Sequence, residues 1–266
     1  MRIKRQNITK MEKIKKYYRD ILGIDLSNLS HPISKRIALL TNLSEDNREI
    51  NEHHLMALGV ALFDIKRHDE VIYNGYLKKI IKNSDISVHG HIFEINQCAH
   101  FIETTKIENL KFTFGDANKN EPDLIVNNSG FEITSVRFAE TATNLNPGKK
   151  LLDTFRKKNT KGYANNNTAL LIDISELTYQ TVQNGKMVNT SLIDIRKKIR
   201  SEMNFGIILI FIEIVKVVDG EKHFSGTVFC DYSEDCSSEL RDLVDNKFIK
   251  GQTSSLELES VIAFML

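Results

Sequence analysis

Asp123 and Glu132 are the side chains whose type and spacing point most directly to chemistry. Asp123 follows Pro122 at the head of a short apolar run, and Glu132 lies in a second such run beyond the turn-forming segment Asn127–Gly130. Two carboxylates on adjacent antiparallel strands joined by a tight turn can converge on one divalent ion, and Glu94, in the helical stretch upstream, is a third that can join them. An oxygen-rich set of this kind suits Mg²⁺ or Mn²⁺ rather than zinc. A metal held in this way neutralises charge building on a phosphoryl oxygen and supplies hydroxide near neutral pH, which is what phosphodiester hydrolysis requires. Alternation along the second run puts Glu132 and Thr134 on one face, and Phe131, Ile133 and Ser135 on the other, so Thr134 sits beside the proposed metal.

The elements that must hold these residues follow from hydrophobic period and turn punctuation. His91–Thr104 carries Ile92, Ile95, Ala99 and Ile102 on one stripe, the pattern of an amphipathic helix packed on a sheet. Leu110–Phe114, Asp123–Val126 and Phe131–Phe138 read as strands, the last two as an antiparallel hairpin. Asn146 and Pro147 start a helix over Gly148–Lys158, and Ala169–Ile174 is an apolar strand. A helix near Ser191–Met203 follows, then a long hairpin of Ile207–Val218 and His223–Cys230 about the Asp219–Gly220 turn, a polar helix near Ser237–Asn246 and a strand near Leu258–Phe264. Upstream, Met11–Leu22, Ser34–Leu40, Asn51–Lys66 and Val71–Ile81 read as helices. The expected architecture is a helical N-terminal segment over residues 1–83 and an α/β core with a C-terminal α+β extension over residues 84–266.

The helix after the hairpin is basic: Lys149, Lys150, Arg156, Lys157 and Lys158, with Lys161 just beyond, face Asp153 alone. Lys150, Thr154, Lys157 and Lys161 share one side, opposite Leu151, Leu152 and Phe155. On an arbitrary helix such a run is a solvated face. Beside a carboxylate cluster it is where nucleic-acid phosphates bind, and Lys149, Lys150, Lys157, Lys158 and Lys161 are the expected contacts. A competing site at His89, His91, Glu94 and His100, or at His53 and His54, lacks the HExxH spacing of zinc hydrolases. No Gly-rich phosphate loop, GxSxG elbow or cysteine-nucleophile context is present.

The run EPDLIVNNSGFEITS, with Glu94 upstream and the basic helix downstream, resembles the PD-(D/E)XK superfamily of restriction, repair and recombination nucleases. The resemblance covers about Ser84–Val218. It implies a restriction endonuclease-like αβββαβ core with a mixed central sheet, in which Asp123 and Glu132 match the metal-binding carboxylates and Glu94 the helix acid. It also implies metal-dependent endonuclease activity on DNA, of restriction or anti-phage type, with Mg²⁺ or Mn²⁺ as cofactor and RNA as the second candidate substrate. One position departs from the pattern: the family's lysine, two residues after the second acid, is Thr134 here. Lys150 and Lys157 are the expected replacements, and Asp123, Glu132, Thr134 and Lys150 form the expected catalytic set. Without a replacement, the scaffold becomes a non-cutting module that binds nucleic acid or a protein partner.

At 266 residues and 41 % hydrophobic, the chain can bury a substantial core. The net charge of +1 conceals a basic N-terminus, with eight Lys and Arg against two acids in residues 1–20, and an acidic stretch after Asp219. That acidic part supports a third reading, a protein interface with the carboxylates as mere surface. Cys98, Cys230 and Cys236 are widely spaced and lack a CxxC pair, so they read as reduced thiols. The longest apolar run, Ile207–Ile212, is strand-sized, and the charged N-terminus lacks a secretory apolar stretch. A cytoplasmic protein with no membrane partner is expected, its helical segment gripping DNA or pairing two copies as a homodimer.

Overall fold

The computed structural model describes residues 10–25, 33, 45–82, 85–139, 142, 146–178, 192–218 and 221–249. The expected elements at Ser34–Leu40, Asp219–Gly220 and Leu258–Phe264 lie outside the described residues, as do the side chains of His53, His54 and His89. The chain divides into two compact units, Met1–Glu103 and Thr104–Leu266.

The first unit is helical among its described residues: α1 (Lys10–Asp20), α2 (Glu45–His68), α3 (Glu70–Lys82) and most of α4 (Asp85–Ile107). Of the apolar stripe expected on α1, Ile14, Tyr18 and Leu22 are buried, whereas Ile21 is 42 % exposed. Two tyrosines in this core keep their hydroxyls satisfied by donating to backbone carbonyls, Tyr18 to Leu55 O at 2.7 Å and Tyr73 to Leu22 O at 2.6 Å. Among the described residues, no helix is long and apolar enough to cross a membrane.

The second unit is α/β. Its strands are β1 (Phe112–Phe114), β2 (Leu124–Val126), β3 (Ser129–Ser135), β4 (Thr168–Asp173), β5 (Ile207–Val218) and β6 (Glu221–Tyr232). They form one open mixed sheet in the order β1-β2-β3-β4-β5-β6. The β1–β2, β2–β3 and β5–β6 pairs are antiparallel, and β3–β4 and β4–β5 are parallel. Parallel neighbours need crossovers, and α5 (Pro147–Asn159) and α6 (Leu192–Glu202) lie in the two connections. Their apolar stripes, Leu151, Leu152 and Phe155 on α5 and Leu192, Ile195 and Ile199 on α6, share one core with Leu170, Ile172, Ile208, Ile210 and Phe229 of the sheet. Each such side chain contributes about 1.5–3 kcal/mol on burial.

The helix, three strands, helix, strand order expected from hydrophobic period is observed, with shifted boundaries. β3 starts and ends earlier than the apolar alternation Phe131–Phe138 suggests. Asn127 adopts the left-handed region at φ 54°, which closes the turn tightly enough for Val126 to pair with Ser129. Asn167 braces that turn: its amide donates to Asn128 O at 2.9 Å and its carbonyl accepts from Ser129 Oγ at 3.1 Å.

The C-terminal acids are not all surface charge. Asp231 on β6 is 2 % exposed and accepts two hydrogen bonds from Arg196 of α6, at 2.8 and 3.0 Å, with Arg200 Nε at 3.4 Å. The chain then forms α7 (Ser238–Leu243), N-capped by Ser237 Oγ accepting from Leu240 N at 3.2 Å, and a π turn at Val244–Phe248. Phe248 of that turn meets Phe131 edge to face at 5.5 Å between ring centroids, so Phe131 is buried on the face of β3 opposite Glu132.

Candidate active site

The geometry begins with the register of β2 and β3. Leu124 pairs with Phe131, and continuing that antiparallel register by one residue sets Asp123 opposite Glu132. Asp123 is held by its own strand pair: its Oδ2 accepts from Ile133 N at 2.8 Å. Two glycines leave room for the bend before it. A Cβ at Gly115 would fall 1.7 Å from the Pro122 carbonyl oxygen, and one at Gly130 would fall 2.8 Å from Pro122 Cγ. Gly115 N also donates to Asp123 O at 3.0 Å. The Pro-Asp pair is thus fixed by close backbone approach on both sides.

Glu132 is only 3 % exposed, and a buried carboxylate needs a partner. Lys158 supplies it, donating from Nζ to Glu132 Oε1. Lys158 lies in the last turn of α5, where positive charge complements the helix dipole. Neighbouring residues lock that turn in place. Arg156 forms a bidentate pair with Glu202 at 2.7 and 2.6 Å. Asn159 donates to Glu202 O at 2.7 Å and accepts from Asn204 N, also at 2.7 Å. The start of α5 is fixed by Asn146, whose side chain accepts from Lys149 N at 2.9 Å.

Just past α5, Tyr163 packs against the helix–sheet core and its hydroxyl interacts with the same carboxylates. Burial first, then Glu132 and Asp123, raise its pKa, so it remains a neutral phenol.

Thr134 and the polar side of α5 enclose a cleft of about 480 Å³ lined by Thr134, Lys150, Asp153, Thr154, Lys157, Lys158 and Lys161. The structure therefore pairs Lys158 with Glu132, which lies opposite Asp123, and Lys158 lines the cleft together with Thr134, Lys150, Lys157 and Lys161. Lys149 is exposed and does not line it. The lysine that reaches the acids is Lys158, not Lys150 or Lys157 as the sequence suggested. Lys158 stands one helical turn beyond Thr154, at the edge of the Lys150–Lys157 side, and from there its ammonium meets Glu132. Tyr163 carries no sequence signal that would single it out.

Glu94 belongs to the first unit and is engaged there. Tyr76 OH donates to its Oε1 at 3.0 Å, Lys79 Nζ donates to the same oxygen at 3.3 Å, and His91 Nδ1 is 3.5 Å from Oε2. Burial pushes its pKa up as the largest single influence. His91, Lys79 and Tyr76 together outweigh it and hold the carboxyl below its usual value. Among the described residues, no group of three or more His, Cys, Asp or Glu side chains is arranged to hold a metal ion. No family model, curated protein or solved structure matches this chain.

Proposed function

We propose that this chain is a metal-dependent nuclease of the PD-(D/E)XK type that hydrolyses phosphodiester bonds in DNA. The observation that carries the reading is Asp123 opposite Glu132, with Lys158 on Glu132 and a lysine-lined cleft alongside. The observed order α4, β1, β2, β3, α5, β4 agrees with the αβββαβ plan of that superfamily.

The donor chemistry fits Mg²⁺ or Mn²⁺. Mg²⁺ keeps several waters and is commonly held by one or two carboxylates together with substrate phosphates, so Asp123 and Glu132 suffice. When bound, such a metal stabilises charge on the phosphoryl oxygen and lowers the pKa of water. The protein's own residues do the rest. Asp123 and Glu132 are held in place by the β2–β3 register, Lys158 takes the part of the missing strand lysine, and Lys150, Lys157 and Lys161 hold phosphates along the cleft. Thr134 lends its wall a neutral hydroxyl.

The test is a nicking assay on supercoiled DNA with Mn²⁺, run beside an RNA duplex. Metal-dependent cutting lost in Asp123→Ala and in Glu132→Ala, with both variants folded, is the expected result. Cutting that persists in chelator or in Asp123→Ala sinks the assignment. The specific observation favouring a second reading, a nuclease-fold module that binds without cutting, is the absence of a three-residue metal group among the described residues. A wild type that binds DNA but cuts neither substrate selects it.

A further inference from the structure

We propose that the cleft between β3 and α5 binds a single strand of DNA through its phosphates, without help from a metal, and prefers it to duplex. The inference rests on the nuclease reading for its class of ligand and concerns the form in which that ligand enters the cleft. Lys150 and Lys157 on α5 and Lys161 just beyond it are exposed, and among the described residues their ammonium groups form no ion pair or hydrogen bond. Their basic neighbours differ: Arg156 is held by Glu202 and Lys158 by Glu132. Asp153 is the one acid in the lining, and its charge also acts on Arg156. Three uncommitted cations against one carboxylate make a lining that suits an anion. Thr134 adds a neutral hydroxyl from the strand side.

Spacing and size select one strand. Lys150 and Lys157 stand two helical turns apart on α5, about 10.5 Å of rise, and phosphates along one strand of a duplex follow every 3.4 Å or so, about three of them in that distance. The lysines form a single row, the footprint of one backbone rather than two. The cleft holds about 480 Å³, the scale of a site for one drug-sized ligand, so it admits a short stretch of backbone and not the body of a duplex. A lone strand can bend its phosphates into this space, whereas a duplex meets the row only from outside. Among the described residues no aromatic side chain lines the cleft, so bases find no stacking platform and the binding is indifferent to their identity. Lys158 lines the same cleft while paired with Glu132, so a strand held there runs beside that carboxylate.

The experiment measures fluorescence anisotropy of the whole chain, in chelator and over a range of salt, with labelled oligo(dT), oligo(dA) and a dA·dT duplex of equal length. The expected result is single-strand binding tighter than duplex by about tenfold or more, the scale of one or two phosphate contacts in 0.1 M salt, with oligo(dT) and oligo(dA) nearly equal. The slope of log affinity on log salt for oligo(dT) should be about −2, from three contacts at about 0.7 each, and about −1.4 in Lys150→Ala or Lys157→Ala. Duplex bound as tightly as single strand, or slopes that neither substitution changes, overturns the inference. If supercoiled DNA is still nicked with Mn²⁺ in that case, the nuclease reading stands. Single-strand preference in a protein that never nicks supports the inference and removes only the cutting. No binding of any of the three DNAs, with no nicking, overturns both.

Discussion

The ammonium of Lys158, in the last turn of α5, is hydrogen-bonded to the buried carboxylate of Glu132 on β3. This joins the basic helix to the acidic strand pair, and under the proposed nuclease function it makes Lys158 the substitute for the lysine that Thr134 replaces. Lys158→Met should therefore lose about 10²–10⁴-fold in cleavage rate while DNA affinity changes little, the scale of lost acid–base or electrostatic help. Thr134→Ala should lose little. Single-turnover cleavage beside anisotropy binding checks both, and full-rate cutting by Lys158→Met would confine the residue to charge pairing.

Lys150, Lys157 and Lys161 line the cleft on the polar side of α5 and just beyond it, and the proposed function makes them the phosphate contacts. Alanine at Lys150 or Lys157 should weaken binding equally across DNA sequences and reduce the salt slope by about one unit for each phosphate no longer neutralised. Affinity measured from low to moderate salt decides it. Unchanged slopes assign those lysines to solvent.

Gly115→Ala should damage fold and site together, because its Cβ would lie 1.7 Å from the Pro122 carbonyl oxygen. Overpacking typically costs about 1–3 kcal/mol, and here the obstacle is backbone, which yields poorly. The thermal midpoint and Mn²⁺ affinity should fall in parallel as Asp123 is displaced. A stable variant with wild-type affinity would show that the bend can relax without moving the ligand.

Asp231→Ala should destabilise the second unit by about 3–5 kcal/mol, the cost of stranding one partner of a buried ion pair. Arg196 has a 13 % exposed side chain, so it would keep its charge largely out of water with the bidentate acceptor gone. Denaturant unfolding measures the loss. A change under about 1 kcal/mol, the size of an exposed pair, would mean that Arg196 finds solvent.

Glu94 gives a pH signature in the first unit. Its folded carboxyl is held below the ordinary value, so it adds stability above the unfolded carboxyl pKa of about 4.3, and this is lost as pH falls through the folded value. Glu94→Gln should lower the thermal midpoint at neutral pH and converge with wild type in acid, leaving Mn²⁺ affinity unchanged. A drop in Mn²⁺ affinity would instead place Glu94 in the metal site.

Sequence alone was sufficient for the α/β character, the element order and the Asp123–Glu132 hairpin. Apolar period, the Asn127–Gly130 turn and the Asn146–Pro147 helix start are local signals, and a hairpin register relates residues close in sequence. It also placed Thr134 on the Glu132 face of its strand and Lys150, Lys157 and Lys161 on one side of their helix, since alternation on a strand and spacing on a helix need no knowledge of distant neighbours. What only the tertiary structure decided was which lysine reaches the acids. That depends on how the end of α5 is anchored, through Arg156, Asn159, Glu202 and Asn204, and those partners lie 43 to 46 residues apart in sequence. The same holds for Asp231, which reads as one acid among many until Arg196 and Arg200 are seen around it. Long-range side-chain pairing leaves no period in a sequence, because nothing local constrains it.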